Sequence, residues 1–232
     1  MERDDAPRTD SLTGGVTAGG VWPPPPTGMP PAPAVLPPTF APVGRLARAI
    51  RVLLGLYAGS SAVGLAYAHV PAAGRQVEVG IMALLQFVVL LGMGACFLVW
   101  TFRLNKNLRA LGVSGLRNAP AWAVAYFFIP ILSLYRPYQV FREIWQASDP
   151  GPAARTGQAW QNGKSPALLG FWWASVILMN AMASLSAQSA GDASIDLADN
   201  AAGLLSTLLA FQVVRLVTAR QEKSARALSL IG

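Results

Sequence analysis

The stretch Pro120-Ala-Trp-Ala-Val-Ala-Tyr-Phe-Phe-Ile-Pro130-Ile-Leu-Ser-Leu-Tyr135 decides how this chain folds. It is one of five apolar runs and the only one both short and broken. As a helix it would reach about 24 Å, against a hydrocarbon core of about 30 Å. Pro130 sits inside it, where it removes an amide donor and crowds the preceding turn. Such a run belongs to a re-entrant or interfacial segment rather than to a span. If it does not cross, the chain has four spans, and everything downstream of Tyr135 changes sides.

The other four runs are long enough to cross: about 44–67, 79–102, 166–186 and 197–218. The first carries Gly55, Gly59, Ser60 and Gly64 at small-xxx-small spacing, which permits close helix approach. The second has Gln86 as its one strong polar group and flows into a basic extension that ends at Gly112, a natural residue to close a helix. Ser165 reads as the N-cap of the fourth, with Pro166 in its first turn. The loop after it holds Asp192, Asp196 and Asp199.

Basic residues settle the topology, because Lys and Arg in short loops stay on the cytoplasmic side. Sixteen follow position 42. With five spans and an internal N-terminus, 7 of them fall inside and 9 outside. With residues 120–135 entering and leaving on the cytoplasmic face, 15 fall inside and only Arg75 outside. The second arrangement is expected: an all-α integral membrane protein with four transmembrane helices plus a proline-broken re-entrant or interfacial segment, both termini cytoplasmic.

Residues 1–42 are of another kind. They hold 11 of the 18 prolines and two basic against four acidic groups. Proline fixes φ and removes the amide donor, so a disordered tail with polyproline II character is expected. Its PxxP spacings fit a protein partner with an aromatic groove, although such spacing is nearly unavoidable in so proline-rich a segment. The solvated, partner-free tail is therefore the first reading. Residues 43–232 form the membrane domain.

Composition excludes several classes. With 53% hydrophobic and 12% charged residues, the chain has too little polar surface to cover a soluble core. The net charge of +7 flanks apolar runs, which points to anionic lipid headgroups and not to nucleic acid. Cys96 is the only cysteine and His69 the only histidine, so no intramolecular disulfide or thiolate zinc site can form. No paired-carboxylate, nucleophile–base or phosphate-loop pattern occurs in the apolar body, and neither an enzyme nor a cofactor is expected. The three loop aspartates read as solvated groups and not as a metal site. Arginine outnumbers lysine 15 to 3 with abundant alanine and glycine, the usage of a GC-rich bacterial genome.

After the broken run, Tyr138, Phe141, Ile144 and Trp145 recur at helical spacing opposite Gln139, Arg142, Glu143 and Gln146. An amphipathic interfacial helix over 137–148 is expected, suited to the membrane surface. The candidate site gathers here: Arg103, Asn107, Pro130, Arg136, Tyr138, Arg142, Glu143 and Trp145 would ring the cytoplasmic mouth of the re-entrant element. They would hold a lipid headgroup or gate a pathway, with Arg142 pairing with Glu143 of a neighbour or stacking on Trp145 or Tyr138. A membrane-anchoring belt of Trp, Tyr and Arg is the plainer alternative.

The blocks Trp100-Thr-Phe-Arg103, Asn107-Leu-Arg-Ala-Leu-Gly112, Pro120-Ala-Trp-Ala-Val, Phe128-Ile-Pro130-Ile and Tyr135-Arg-Pro-Tyr-Gln-Val-Phe-Arg-Glu-Ile-Trp145 stand in an order and spacing that resembles one family. It is the bacterial multi-pass membrane family known as domain of unknown function 4328 (DUF4328). The similarity runs from about residue 78 to 220. The chain departs from the family pattern at Ser133, where Asn is expected, and at Tyr135, where Trp is expected. The resemblance implies membrane placement and supplies no catalytic residue.

The expected protein is a multi-pass component of the bacterial inner membrane, a non-enzymatic scaffold or regulatory component. The alternative is a small transporter or channel-like subunit in which the re-entrant segment around Pro130 lines a pathway.

Overall fold

A backbone in hydrocarbon has no water to bond, so an apolar run of spanning length closes its hydrogen bonds on itself as a helix. The computed structural model of the protein describes residues 39–67, 76–149, 158–189 and 192–230. Their helices are α1 (Gly44–Tyr67), α2 (Gln76–Ala110), α3 (Pro120–Ala125), α4 (Pro130–Ser133), α5 (Arg136–Ala147), α6 (Ala167–Gln188) and α7 (Ala193–Ala227). A 3-10 turn covers Ala159–Asn162, and no strand occurs among the described residues. Four helices have stretches long and apolar enough to cross a membrane: Gly44–Val63, Gly80–Ala110, Ala167–Gln188 and Ser194–Ala227. The expected all-α membrane fold with four spans is the observed one. Of the tail expected over residues 1–42, residues 1–38 lie outside the described residues.

Boundaries differ from the sequence reading in three places. The last helix begins at Ala193 rather than near 197, because the Asp192 carboxylate accepts from the amides of Ser194 (3.0 Å) and Ile195 (3.4 Å). Asp196 and Asp199 are therefore helical and not in a loop. Pro166 and not Ser165 takes the N-cap position of α6, with extended backbone at φ −68° and ψ 143°. Third, Ala41 lies inside the segment expected to be free. Its amide donates to Asn107 Oδ1 (3.0 Å) and its carbonyl accepts from Asn107 Nδ2 (2.8 Å).

Helix α6 lies along α7, α7 along α1, and α1 along α2. The row does not close, since α2 and α6 share no comparable seam. At one end of the bundle, here called the base, the segment α3–α5 is inserted: α3 packs on α2, and α5 on α2, α6 and α7. The best-buried large side chains, Trp100, Phe141, Ile50, Leu104 and Leu108, all sit in this half. Phe141 stacks on Trp100 (5.7 Å between centroids) and meets Trp172 edge-on (5.0 Å). Ring pairs of this geometry add about 0.5–1.5 kcal/mol beyond their area. Away from the base the order inverts, and Leu84, Leu85 and Val88 of α2 are more than half exposed. An apolar surface this continuous suits lipid and not water.

The turn after α2 sets where the inserted segment begins. Gly112, at φ +78°, lets the Val113 amide reach back to the Leu108 carbonyl (3.1 Å) and its own amide to Arg109 (3.1 Å). This double bond to the last turn is a glycine-dependent helix stop. The chain then reverses and climbs beside α2.

Candidate functional site

The ascent is short and returns to where it began. Phe127, in the turn between α3 and α4, meets Phe97 edge-on at 5.8 Å. That level is about 20 Å along α2 from its end at Ala110. The descent follows α6, where Trp173 Nε1 donates to the Leu134 carbonyl (2.7 Å) and Tyr138 lies against Gly170. At the base the two flanks of the excursion bond to each other. The Glu143 carboxylate accepts from the amides of Arg117 (2.6 Å) and Asn118 (3.4 Å), and from the Asn118 side-chain amide. Trp160 Nε1 donates to the Ser114 carbonyl (2.9 Å), and Arg117 donates to Gln161 Oε1 (3.2 Å).

These contacts divide the expected site. Asn107 and Glu143 are buried and bonded to protein, so both are structural clasps. Arg103 and Arg142 are exposed, and among the described residues no side chain pairs with either. The stacking expected of Arg142 on Trp145 or Tyr138 does not form; Arg220 of α7 lies over Trp145 instead. Its guanidinium lies 4.5 Å from the Trp145 ring centroid, Nε donates to the Trp145 carbonyl (2.9 Å), and an ion pair joins it to Asp149 (2.8 Å). Arg136 lies between the rings of Tyr126 (5.3 Å) and Tyr135 (5.6 Å). Pro130 opens α4, is exposed, and is not among the residues lining the cavity between α1, α2, α6 and α7. Of the α5 face expected to meet lipid, Phe141 and Ile144 are turned inward and fully buried, while Tyr138 and Trp145 are partly buried.

Behind these residues a polar network ties three helices together. Gln221 of α7 accepts from Asn107 Nδ2 (3.0 Å) and donates to the Leu104 carbonyl (3.0 Å). One turn deeper, Trp100 Nε1 donates to Thr218 Oγ1 (3.1 Å). Ser224 Oγ donates to the Ser148 carbonyl (2.7 Å). The base is closed by side chains bonded to one another.

Above it the bundle is hollow. A cavity of about 530 Å³ lies among α1, α2, α6 and α7. Its floor is Phe97, Phe127, Trp172 and Trp173, so the inserted segment contributes through Phe127 and not through Pro130. Its far half is polar, with Ser61, Gln86, Asn180, Asp199, Asn200 and Thr207. Gln86 Nε2 donates across the α1–α2 seam to Ser61 Oγ (3.2 Å). The sequence pass read these helices as packing elements and missed the chamber. The available signal was polar residues on one face of each of three runs: Ser61, Gln86, and Asp199 through Thr207. Among the described residues no group of three His, Cys, Asp or Glu is placed to hold a metal ion.

Comparison with known proteins gives one match. A family model described as Domain of unknown function (DUF4328) matches residues 64–221. No curated protein and no solved structure matches the chain.

Proposed function

The chain belongs to the DUF4328 family of membrane-type proteins, and on that premise we propose that it is a non-enzymatic scaffold or regulatory component of a bacterial inner membrane. In this reading the base faces the cytoplasm, both termini are cytoplasmic, and residues 120–135 enter and leave on the cytoplasmic face. The observation that carries it is the closed base. Asn107, Gln221, Trp100 and Thr218 consume one another's hydrogen bonds, while Arg103, Lys106, Arg142 and Lys223 point outward unburied. A sealed, bonded platform with a basic rim suits attachment to anionic headgroups and to a partner.

Deleting residues 1–38, which leaves the Ala41–Asn107 bonds in place, tests the recruiting role of the tail. Crosslinked material from cells should lose a partner when the tail is absent. Recovery of the same partners with and without it would overturn the reading.

A second reading, a small transporter or channel-like subunit, is favoured by the chamber floored by Phe127. It requires the base to open. Solute flux in proteoliposomes that rises when Gln221 is truncated would support it over the scaffold.

A further inference from the structure

The end of the bundle opposite the base carries Asp192, Asp196 and Asp199, with no Lys or Arg there among the described residues. Two of the three are occupied. Asp192 caps α7, and Asp196 accepts from Ser186 Oγ at 2.6 Å. Asp199 is half-buried, lines the chamber, and among the described residues receives no hydrogen bond. Among the described residues it is the only charged group on the chamber wall.

The floor is aromatic and apolar, made by Phe97, Phe127, Trp172 and Trp173. Between Asp199 and the floor, along about 22 Å of α7, the walls include Leu54, Leu90, Met93 and Val176. An anion would face an unpaired carboxylate, a small hydrated ion would leave these apolar walls wetted, and a neutral chain would leave Asp199 without a partner. The side of the chamber between α2 and α6 has no helix–helix seam, and the flanking Val88 and Leu178 are exposed to lipid. A ligand dissolved in the bilayer therefore has a lateral way in.

We propose that the chamber binds a long-chain organic cation, its charge against Asp199 and its apolar chain running past Leu90, Met93 and Val176 toward the aromatic floor. This site does not depend on the scaffold reading.

The full chain in lipid nanodiscs is titrated with hexadecyltrimethylammonium, and with hexadecyl sulfate as the anion of the same chain length. Saturable hexadecyltrimethylammonium binding above protein-free discs is expected, with a change in tryptophan emission as the chain end reaches the floor. Asp199→Asn should weaken it about tenfold or more, and Asp199→Glu should keep it within about threefold. Gly203 supplies a second variant that leaves charge alone. It lines the chamber, and an added Cβ there meets nothing within 4 Å. Gly203→Leu should therefore put side-chain bulk into chamber space and reduce binding as strongly as Asp199→Asn. Melting curves establish that each variant is folded; if Asp199→Asn is not, Gly203→Leu decides. No saturable binding, equal binding of hexadecyl sulfate, or undiminished binding in the folded variants would overturn the proposal.

Discussion

Asn107 of α2 and Gln221 of α7 are hydrogen-bonded side chain to side chain at 3.0 Å, both fully shielded from solvent. Each also bonds to backbone outside its own helix turn, Asn107 to Ala41 and Gln221 to Leu104. A buried amide whose partner is removed bears its desolvation cost alone, about 1–3 kcal/mol. Gln221→Leu should therefore lower the unfolding free energy by that amount. A double-mutant cycle with Asn107→Leu should return a coupling energy near 1 kcal/mol, because the two act as one unit. Additive losses would show that the bond contributes nothing of its own.

Glu143 holds the two flanks of the inserted segment together. Glu143→Gln keeps the shape but presents an NH2 group where three donors converge. Hydrogen bonds to a charged acceptor are worth about 1.5–3 kcal/mol, and a loss in that range is expected in thermal or denaturant unfolding. Trypsin supplies a local readout at the exposed Arg117, whose backbone the carboxylate fixes. Cleavage there should accelerate in the variant before the bundle melts.

Arg220 tests geometry against charge. Its ion pair with Asp149 is partly exposed and contributes little by itself. The stack on Trp145 and the bond to the Trp145 carbonyl need a planar guanidinium. Arg220→Lys, which preserves the charge, should still cost about 1 kcal/mol and shift the tryptophan emission. Wild-type stability in that variant would make the charge alone sufficient.

How much of this was legible beforehand follows from the kind of signal each feature leaves. Spans were readable because length and hydropathy are properties of a single segment, and α1, α2, α6 and α7 stand where the runs were. Pro130 announced the break at the start of α4. The turn chemistry of Gly112 was equally local. Asp192 was not recognised as a cap because the apolar run begins later, at Leu197, while the helix starts where its first amides find an acceptor. Glu143 and Gln146 fall on the polar face of the interfacial-helix pattern, yet both are buried beneath the loops they bond, since a loop's path is not written in helical periodicity. Trp160 was passed over for the same reason. The chamber depends on four helices at once, and a single run shows only one wall.

Asp192 gives the pH prediction. Hydrogen bonds from the Ser194 side chain, then from the amides of Ser194 and Ile195, hold its carboxyl below the ordinary aspartate value of 3.8. A depressed folded-state pKa means the cap is fully present above pH 3.8 and is lost as pH falls through the lower, folded-state value. The amide resonances of Ser194 and Ile195 should titrate together with a midpoint below 3.8, and Asp192→Asn should abolish that titration. A midpoint above the ordinary value would contradict the cap.

The central claim is that the chain enters and leaves residues 120–135 on one face of the membrane. Single cysteines in a Cys96→Ser background measure this directly with a membrane-impermeant maleimide on intact and permeabilised cells. Lys106→Cys lies before the segment and Lys164→Cys after it, both at exposed positions, and Gln188→Cys lies at the opposite end of α6. The predicted result is that Gln188→Cys is labelled in intact cells, whereas Lys106→Cys and Lys164→Cys are labelled only after permeabilisation. Labelling of Lys106→Cys and Lys164→Cys from opposite sides would contradict the account, because residues 120–135 would then cross.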